Sequence, residues 1–415
     1  MRSKRIWARL ASVEGASVID VSSEEDGDSV EVVVRVRIYR QDESRCGICC
    51  TRCPGYDAGH GVRRWRSLDL GVVCVSVEAA APRVFCVEHG VTTAHVPWAR
   101  HDSGFTRAFE DQVAWLAVHT DRTTVSSIAR IAWRTVGRII GRVSDEGTGR
   151  IDRFAKLKRV GIDEISYKKG QKYITIVIDH DTGRLVWARP GRDEATVNAF
   201  FDELGEGRTA QLKLVSADAA IWISNVVKQR CPQARLCMDP FHVVAWATKA
   251  LDQVRRALWN EVRQAGKKVL AKSLKGMRWA ILKNPENLTE HQQTKLSELE
   301  RMNRRLYRAY LLKEKLRAIF QEHPDLGPTL IDDWITMARR SRIEPFVKLA
   351  DTVLANRHAI IDALDAELSN ARTESANTKI RLLTRLAFGF HSAHGLISLA
   401  MLRLGGICPP LPGRA

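Results

Sequence analysis

A chain of 415 residues with 45% hydrophobic content can bury a substantial core and is expected to form more than one domain. Its 65 Lys+Arg against 48 Asp+Glu give a formal net charge of +17, which favours a polyanionic partner because neutralising phosphates releases condensed counterions. No apolar run approaches the ~20 residues needed to span a bilayer, and the opening MRSKRIWARLASVEG lacks the apolar stretch of a signal peptide. These features exclude a membrane-spanning role and point to a cytoplasmic, nucleic-acid-facing protein.

Residues 29–40 place Val30, Val32, Val34, Val36 and Ile38 on one face at period two, the pattern of a strand. Two further strand-like runs lie at 63–68 and 72–78. Between and after these runs come two short knuckles, Cys46-Gly-Ile-Cys49 and Cys86-Val-Glu-His89. Tetrahedral zinc favours four N/S ligands delivered as two such pairs. Cys50 and Cys53 form a second CxxC pair, so Cys53 stays open as an alternative ligand. A β-rich ribbon of this size has too little core to fold alone, and its Zn²⁺ would be structural. Arg63, Arg64 and Arg66 give it a basic edge that could contact phosphate. The scattered Cys231, Cys237 and Cys408 read as core packing.

From Phe105 the period becomes helical. Helices are expected at 105–119, 125–131 and 133–143, and TTVSSIARIAWRTVGRIIGRV has the spacing of a helix-turn-helix. Ile128 and Ala129 would pack inward, and the exposed face of the next helix would carry Arg134, Arg138 and Arg142. Arginines on a helix set into a major groove can bind phosphate and read guanine. A basic amphipathic helix packed on its neighbour is the plainer alternative.

Strands are expected at 159–167, 172–179, 185–189, 212–217 and 235–238, interleaved with helices, which implies a mixed sheet with covering helices. Asp163 sits inside the first of these strands, where an acid costs solvation unless something compensates it. Asp218 stands where a strand ends and a helix begins, the place where functional groups gather in open αβ sheets. Two carboxylates from neighbouring strands can share hard divalent ions, and a third from a helix completes a two-metal site for phosphoryl transfer. Glu164 points to the opposite face by alternation. Asp179 and Asp181 read as solvated turn residues. Asp239 and His242, in Asp-Pro-Phe-His, either support the site or cap a strand end.

Residues 241–368 read as almost pure basic helix, broken near Asn284-Pro285 and Pro324–Pro328. Arg255, Arg256, Lys267, Lys268, Lys272, Lys275, Arg278, Lys283, Arg304, Arg305, Arg339 and Arg340 suggest a DNA-backbone track or a dimerising surface. Trp259, Trp279 and Trp334 occupy apolar helical positions and read as core, with base stacking as an alternative for Trp279. A last helical segment runs from Glu374 to Leu404, before the tail ICPPLPGRA.

Several of these stretches resemble the ISL-three family of bacterial insertion-sequence transposases: GIDEISYKKGQKYITIVID, LVSADAA, MDPFHVVAWATKALDQVRR, MRWAILKNPENLT and ESANTKIRLLTRLAFGF, with the knuckles, the tail, CPGYD and VPWARH also matching. The resemblance covers nearly the whole chain. It implies an α+β multidomain protein: a zinc-ribbon domain (1–100), a helix-turn-helix (101–150), an RNase H-like α/β catalytic core (151–245 and 371–404) interrupted by an all-helical insertion (246–370), and a tail (405–415). Asp163 and Asp218 match the family's catalytic aspartates. Glu374 matches its glutamate, and these three acids would hold Mg²⁺ or Mn²⁺. Lys379 and Arg381, close behind, could hold phosphates.

The implied activity is a DDE transposase that binds the terminal inverted repeats of its element, cleaves the ends and joins the 3′-hydroxyl to target double-stranded DNA, acting as a homodimer or larger assembly. A catalytically inactive DNA-binding regulator of the same ancestry is the first alternative. A nuclease acting on RNA–DNA hybrids is the second, and the helix-turn-helix and ribbon argue against it.

Overall fold

Alternating valines build the first sheet. In this computed structural model, which describes residues 2–26, 29–168, 170, 172–217, 220–238, 240–321, 326–366 and 371–414, Asp218 and Asp239 lie outside the described residues, as does the Glu374 side chain. Helix α1 (Arg2–Leu10) leads into β1 (Ala16–Asp26), which pairs antiparallel with β2 (Ser29–Ile38). After the short α2 (Arg40–Glu43) come β3 (Gly55–Asp57), β4 (Val62–Arg66), β5 (Cys74–Ala80), β6 (Arg83–Cys86) and β7 (Gly90–Thr93). One sheet runs β1-β2-β5-β4 and a second β3-β6-β7. Val34, Val36 and Ile38 of β2 pack with Val75 and Val77 of β5, and Trp65 meets Trp98 edge-on at 5.6 Å. Helices α3 (Arg107–His119), α4 (Arg122–Ala129) and α5 (Trp133–Arg150) follow.

The next region holds β8 (Arg159–Lys168), β9 (Lys172–Asp179), β10 (Leu185–Pro190), α6 (Glu194–Leu204), α7 (Glu206–Thr209), β11 (Leu214–Ala217), α8 (Ile221–Arg230) and β12 (Arg235–Met238). The five strands match the periodicity reading to within about two residues at each end. They form one mixed sheet, β10-β9-β8-β11-β12, antiparallel on the β9 side of β8 and parallel on the β11 side. Strand β8 is therefore central. Phe200, Phe201, Val197 and Ile223 cover it with the apolar sides of α6 and α8.

Among the described residues, eight α-helices then run in succession: α9 (Pro240–Gln264), α10 (Lys268–Gly276), α11 (Arg278–Leu282), α12 (Glu290–Met302), α13 (Arg304–Ile319), α14 (Gly327–Arg340), α15 (Glu344–Ala355) and α16 (Arg357–Asp365). Their shared core includes Leu251, Leu312, Leu316, Trp334 and Phe346. Trp334 is core, as its position implies, and its Nε1 donates to the Leu312 carbonyl at 2.8 Å. Trp279 is not; it is 55% exposed, with Arg278 stacked on its ring. Arg255 also departs from the basic track, because it is buried and bonded to Asp252 at 2.6 Å. Among the described residues no helix is long and apolar enough to cross a membrane.

The expected final helix is two. Helix α17 (Ala371–Leu386) ends where Phe388 and Gly389 take positive φ of 52° and 100°, and α18 (Ala393–Leu404) restarts with the Ser392 side chain accepting the Gly395 amide at 3.3 Å. Glycine tolerates that left-handed backbone without a Cβ penalty. The chain divides into two compact units, 1–153 with 382–415, and 154–381. The sequence reading kept 371–404 together; by packing, the stretch divides inside α17. Helix α18 is apolar on most sides (Leu396, Leu399, Ala400, Met401 and Leu402 are buried) and packs on α3 and α5.

Candidate functional sites

In the first unit, the turn between β6 and β7 reverses at Gly90, whose φ is +67°. That reversal sets Cys86 and His89 side by side, Sγ to Nδ1 at 3.5 Å. The other knuckle supplies Cys49, 3.7 Å from the Cys86 sulfur, and Cys46, 3.9 Å from His89 Nδ1. All four donor atoms lie within 4.8 Å of one another. Zinc with Zn–S near 2.3 Å and Zn–N near 2.0 Å needs ligand–ligand edges of about 3.5–3.8 Å, so three sulfurs and a nitrogen at these spacings fit it. His89 beside Cys86 holds that thiol down at about 6, which favours the thiolate a metal requires. Cys53 is not one of these four; it packs against them, its sulfur donating to the Thr51 carbonyl at 3.3 Å. Cys50, with φ of 59°, faces His95 instead.

The basic edge expected on the ribbon is largely neutralised. Arg64 binds Glu24 at 2.7 Å and Glu78 at 2.8 Å, and Arg66 binds Asp69.

Helix α4 begins at Asp121, which caps the Thr123 and Thr124 amides, and ends on Arg130 in the left-handed region. Three residues later α5 starts, its buried stripe formed by Val136, Ile139, Ile140, Val143 and Ser144. On α4, Val125 and Ala129 face inward one turn apart, while Ile128 falls beside that stripe and is 53% exposed, contrary to the sequence reading. Arg134 and Arg138 are exposed on α5. Arg142 is not free on that face. Each step of four residues turns about 40° around a helix, and by the second step Arg142 reaches buried Glu110, donating from Nε at 2.9 Å and Nη2 at 2.5 Å. Glu110 also accepts from Ser103 and Arg100, and Arg100 binds Asp111 and Glu146, each at 2.6 Å.

In the second unit, Asp163 lies on central strand β8, half-buried and opposite Ile176 of β9. Its Oδ1 accepts the Glu164 amide at 2.7 Å, and its Oδ2 accepts from Asn377 Nδ2 on α17. A carboxylate only accepts, so the amide of Asn377 must present its nitrogen; its Oδ1 is sealed from solvent and has no partner among the described residues. Glu374 is three residues earlier on the same helix. Arg372 ties the start of α17 to the carbonyls of His180 and Asp181. Strand β11 ends at Ala217, which pairs with Ile162, and Asp218 comes next in the chain. Arg381, one turn beyond Asn377, lies on the same side of α17, while Lys379 is about half a turn away; both are exposed.

Of the two turn acids, Asp179 departs from expectation and Asp181 does not. Asp179 is buried, bonding the Asp181 amide at 2.9 Å and the Thr182 hydroxyl at 2.6 Å, because it closes the β9–β10 turn from within. Asp181 is exposed and pairs with Arg159. Glu164 approaches Arg192 at 3.4 Å. His242 is half-buried, its ring edge-on to Phe241. Asn377 is the residue that sequence reasoning passed over; its spacing of one turn from Glu374 was the available signal.

Residues 160–399 match a family described as transposase, and residues 94–144 match the helix-turn-helix domain of transposase family ISL3. The chain belongs to transposase family ISL3. Among its relatives is the transposase for insertion sequence element IS1557 of Mycobacterium tuberculosis (strains CDC 1551 / Oshkosh and ATCC 25618 / H37Rv), 52% identical over 436 aligned residues that cover 100% of this chain and 98% of the relative. A more distant one is the transposase for insertion sequence element IS1001 of Bordetella parapertussis, 25% identical and covering 94% of this chain and 95% of the relative. The ISL3 helix-turn-helix match contains α3, α4 and most of α5. The transposase match takes in the five-stranded sheet, α17 and part of α18.

Proposed function

We propose that this ISL3 transposase acts by DDE chemistry, with Asp163, Asp218 and Glu374 as the catalytic acids. What carries the reading is the contact between Asp163 on the central strand and Asn377, one turn after Glu374 on α17. The pairing of Ala217 with Ile162 adds support, since it brings the strand that leads to Asp218 beside the one holding Asp163. A mixed sheet with strand order 3-2-1-4-5, antiparallel then parallel about the first strand, is the arrangement of an RNase H-like core. Helices α9–α16, between β12 and α17, would then be its insertion.

The donor set near Asp163 is hard oxygen, and the partnerless Asn377 Oδ1 beside it adds another, which suits Mg²⁺ or Mn²⁺. Held by the three acids, such ions supply Lewis-acid stabilisation of charge on the phosphoryl oxygens. Asn377 and the Glu164 amide hold the Asp163 carboxylate in one orientation. Arg381 and Lys379 would hold the DNA backbone near the site. Exposed Arg134 and Arg138 on α5 would contact the terminal inverted repeats, and Zn²⁺ at Cys46, Cys49, Cys86 and His89 would hold the ribbon. Water would displace the 3′ oxygen from the phosphorus at each end, and the freed 3′-hydroxyl would then attack a target phosphodiester, displacing the target's own 3′ oxygen. Two ends handled together require at least a dimer on DNA, and a cytoplasmic location follows from the substrate.

The test is nicking of a duplex carrying an element end in Mg²⁺ buffer. Wild type should cut and Asp163→Ala should not. If both bind the end and neither cuts, the chain is a DNA-binding regulator instead.

A further inference from the structure

Arg122 opens α4, but its side chain reaches into a groove of about 540 Å³ shared by α5 and the start of α18. Trp133, Arg134, Arg138, His391 and His394 line the same groove. The guanidinium lies over the rings of both Trp133, at 5.1 Å, and Phe390, at 5.3 Å. Two glycines lie beside it. A Cβ on Gly137 of α5 or on Gly395 of α18 would stand 3.5 Å from one of its nitrogens.

Among the described residues this cation has no counterion. Its Nε is sealed from solvent without a hydrogen-bond partner, and no ion pair to it exists among the described residues. Burial lowers its pKa, and no carboxylate offsets that effect. Arg100, buried in the same unit, has three carboxylates around it. Asp145 is the one acid on the groove's lining, and it is exposed. Partly burying a charge without a partner costs solvation. The cost is recovered when an anion enters, and a guanidinium fork matches the two free oxygens of a phosphodiester.

We propose that this groove binds the phosphodiester backbone of DNA, with Arg122 contacting the phosphate and with the segment 389–395 forming the wall opposite α5. This rests on the DNA-binding reading above and extends it to residues outside the helix-turn-helix. DNA suits the groove better than a free phosphate because Arg134 and Arg138 continue its positive surface along α5.

The experiment titrates the full-length protein with a fluorescent duplex spanning an element end, and with an unrelated duplex, over a series of salt concentrations. Arg122→Gln should weaken binding to both by roughly tenfold near 0.1 M salt and lower the slope of log K against log salt by about one. Its melting temperature should hold or rise. Gly395→Asp is the second variant: it puts an acid in the first turn of α18, where acids suit a helix, and within reach of Arg122. It should lose affinity similarly while melting higher, a combination that a merely structural Arg122 does not produce. If Arg122→Gln fails to fold, Gly395→Asp decides alone. Wild-type affinity and slope in the folded variants would overturn the phosphate assignment. Failure of wild type to bind either duplex would instead remove the DNA-binding reading itself.

Discussion

The Cys/His cluster and the Asp163 site both gather ligand-type side chains, yet they are assembled in opposite ways. The cluster draws its four donors from two short turns, and within each turn the spacing alone sets the pair together. The Asp163 site joins residues 214 positions apart, and only the order of the strands and the placement of α17 make them neighbours. A locally assembled site with little core around it should depend on its ligand to fold. A site built on a packed sheet should survive the loss of its chemistry.

The largest effect expected from that contrast is at the cluster. Cys86→Ser, or exhaustive chelation, should remove one equivalent of zinc and unfold the surroundings of β3, β6 and β7, since structural zinc contributes on the order of 10 kcal/mol. Metal analysis and hydrogen exchange across residues 46–95 would report it. Full metal loss with unchanged exchange protection would erase the distinction between the two sites. Next comes Asp163→Asn. End cleavage should fall by about a thousandfold or more, with the melting temperature close to wild type, because the sheet around β8 is packed by Val160, Ile162 and Ile165 rather than by the acid.

Legibility followed the same divide. Cys46, Cys49, Cys86 and His89 were readable because two-residue gaps are local geometry, and the five strands of 159–238 because β-branched alternation is local too. What escaped depended on tertiary partners. Strand β1 is rich in Ser, Asp and Glu and has weak strand propensity; its pairing with β2 makes it a strand. Ile128 and Trp279 are apolar residues on helices whose buried sides could be fixed only by knowing the neighbours. Arg142 looked exposed by spacing, and buried Glu110, 32 residues away, claims it. Asn377 gained meaning only once α17 came against β8.

Asn377 tests how finely the distant site is tuned. Asn377→Ala should cut cleavage by about 10- to 100-fold, as expected for a partner that orients a ligand, while leaving end binding untouched. Equal losses of binding and cleavage would assign it to DNA contact instead. Two arginines of α5 sharpen the same point within the first unit. Arg142→Gln strips a partner from buried Glu110, which keeps Arg100 and Ser103, and should lower stability by about 1–3 kcal/mol. Arg134→Gln should leave the melting temperature alone and weaken duplex binding. A reversed pattern would return Arg142 to the DNA-reading face.

The smallest effect concerns His180, which holds the second unit's sheet without touching its chemistry. Its Nε2 meets the Ser216 hydroxyl at 2.6 Å in a buried setting, and burial lowers its pKa from 6.5 to about 4. Between those values the unfolded chain takes up a proton that the folded one refuses. Stability from this residue is therefore complete above pH 6.5 and declines as pH falls toward 4, by at most about 3 kcal/mol. Acids elsewhere titrate in the same range, so the informative quantity is the difference from His180→Gln, which can still bond Ser216 but carries no proton-dependent charge. Urea midpoints taken near neutrality and near pH 4.5 should show the variant losing less than wild type on acidification. Parallel losses would mean that the imidazole accepts its proton in place, and that the contact between His180 and Ser216 of β11 is more open to water than its burial implies.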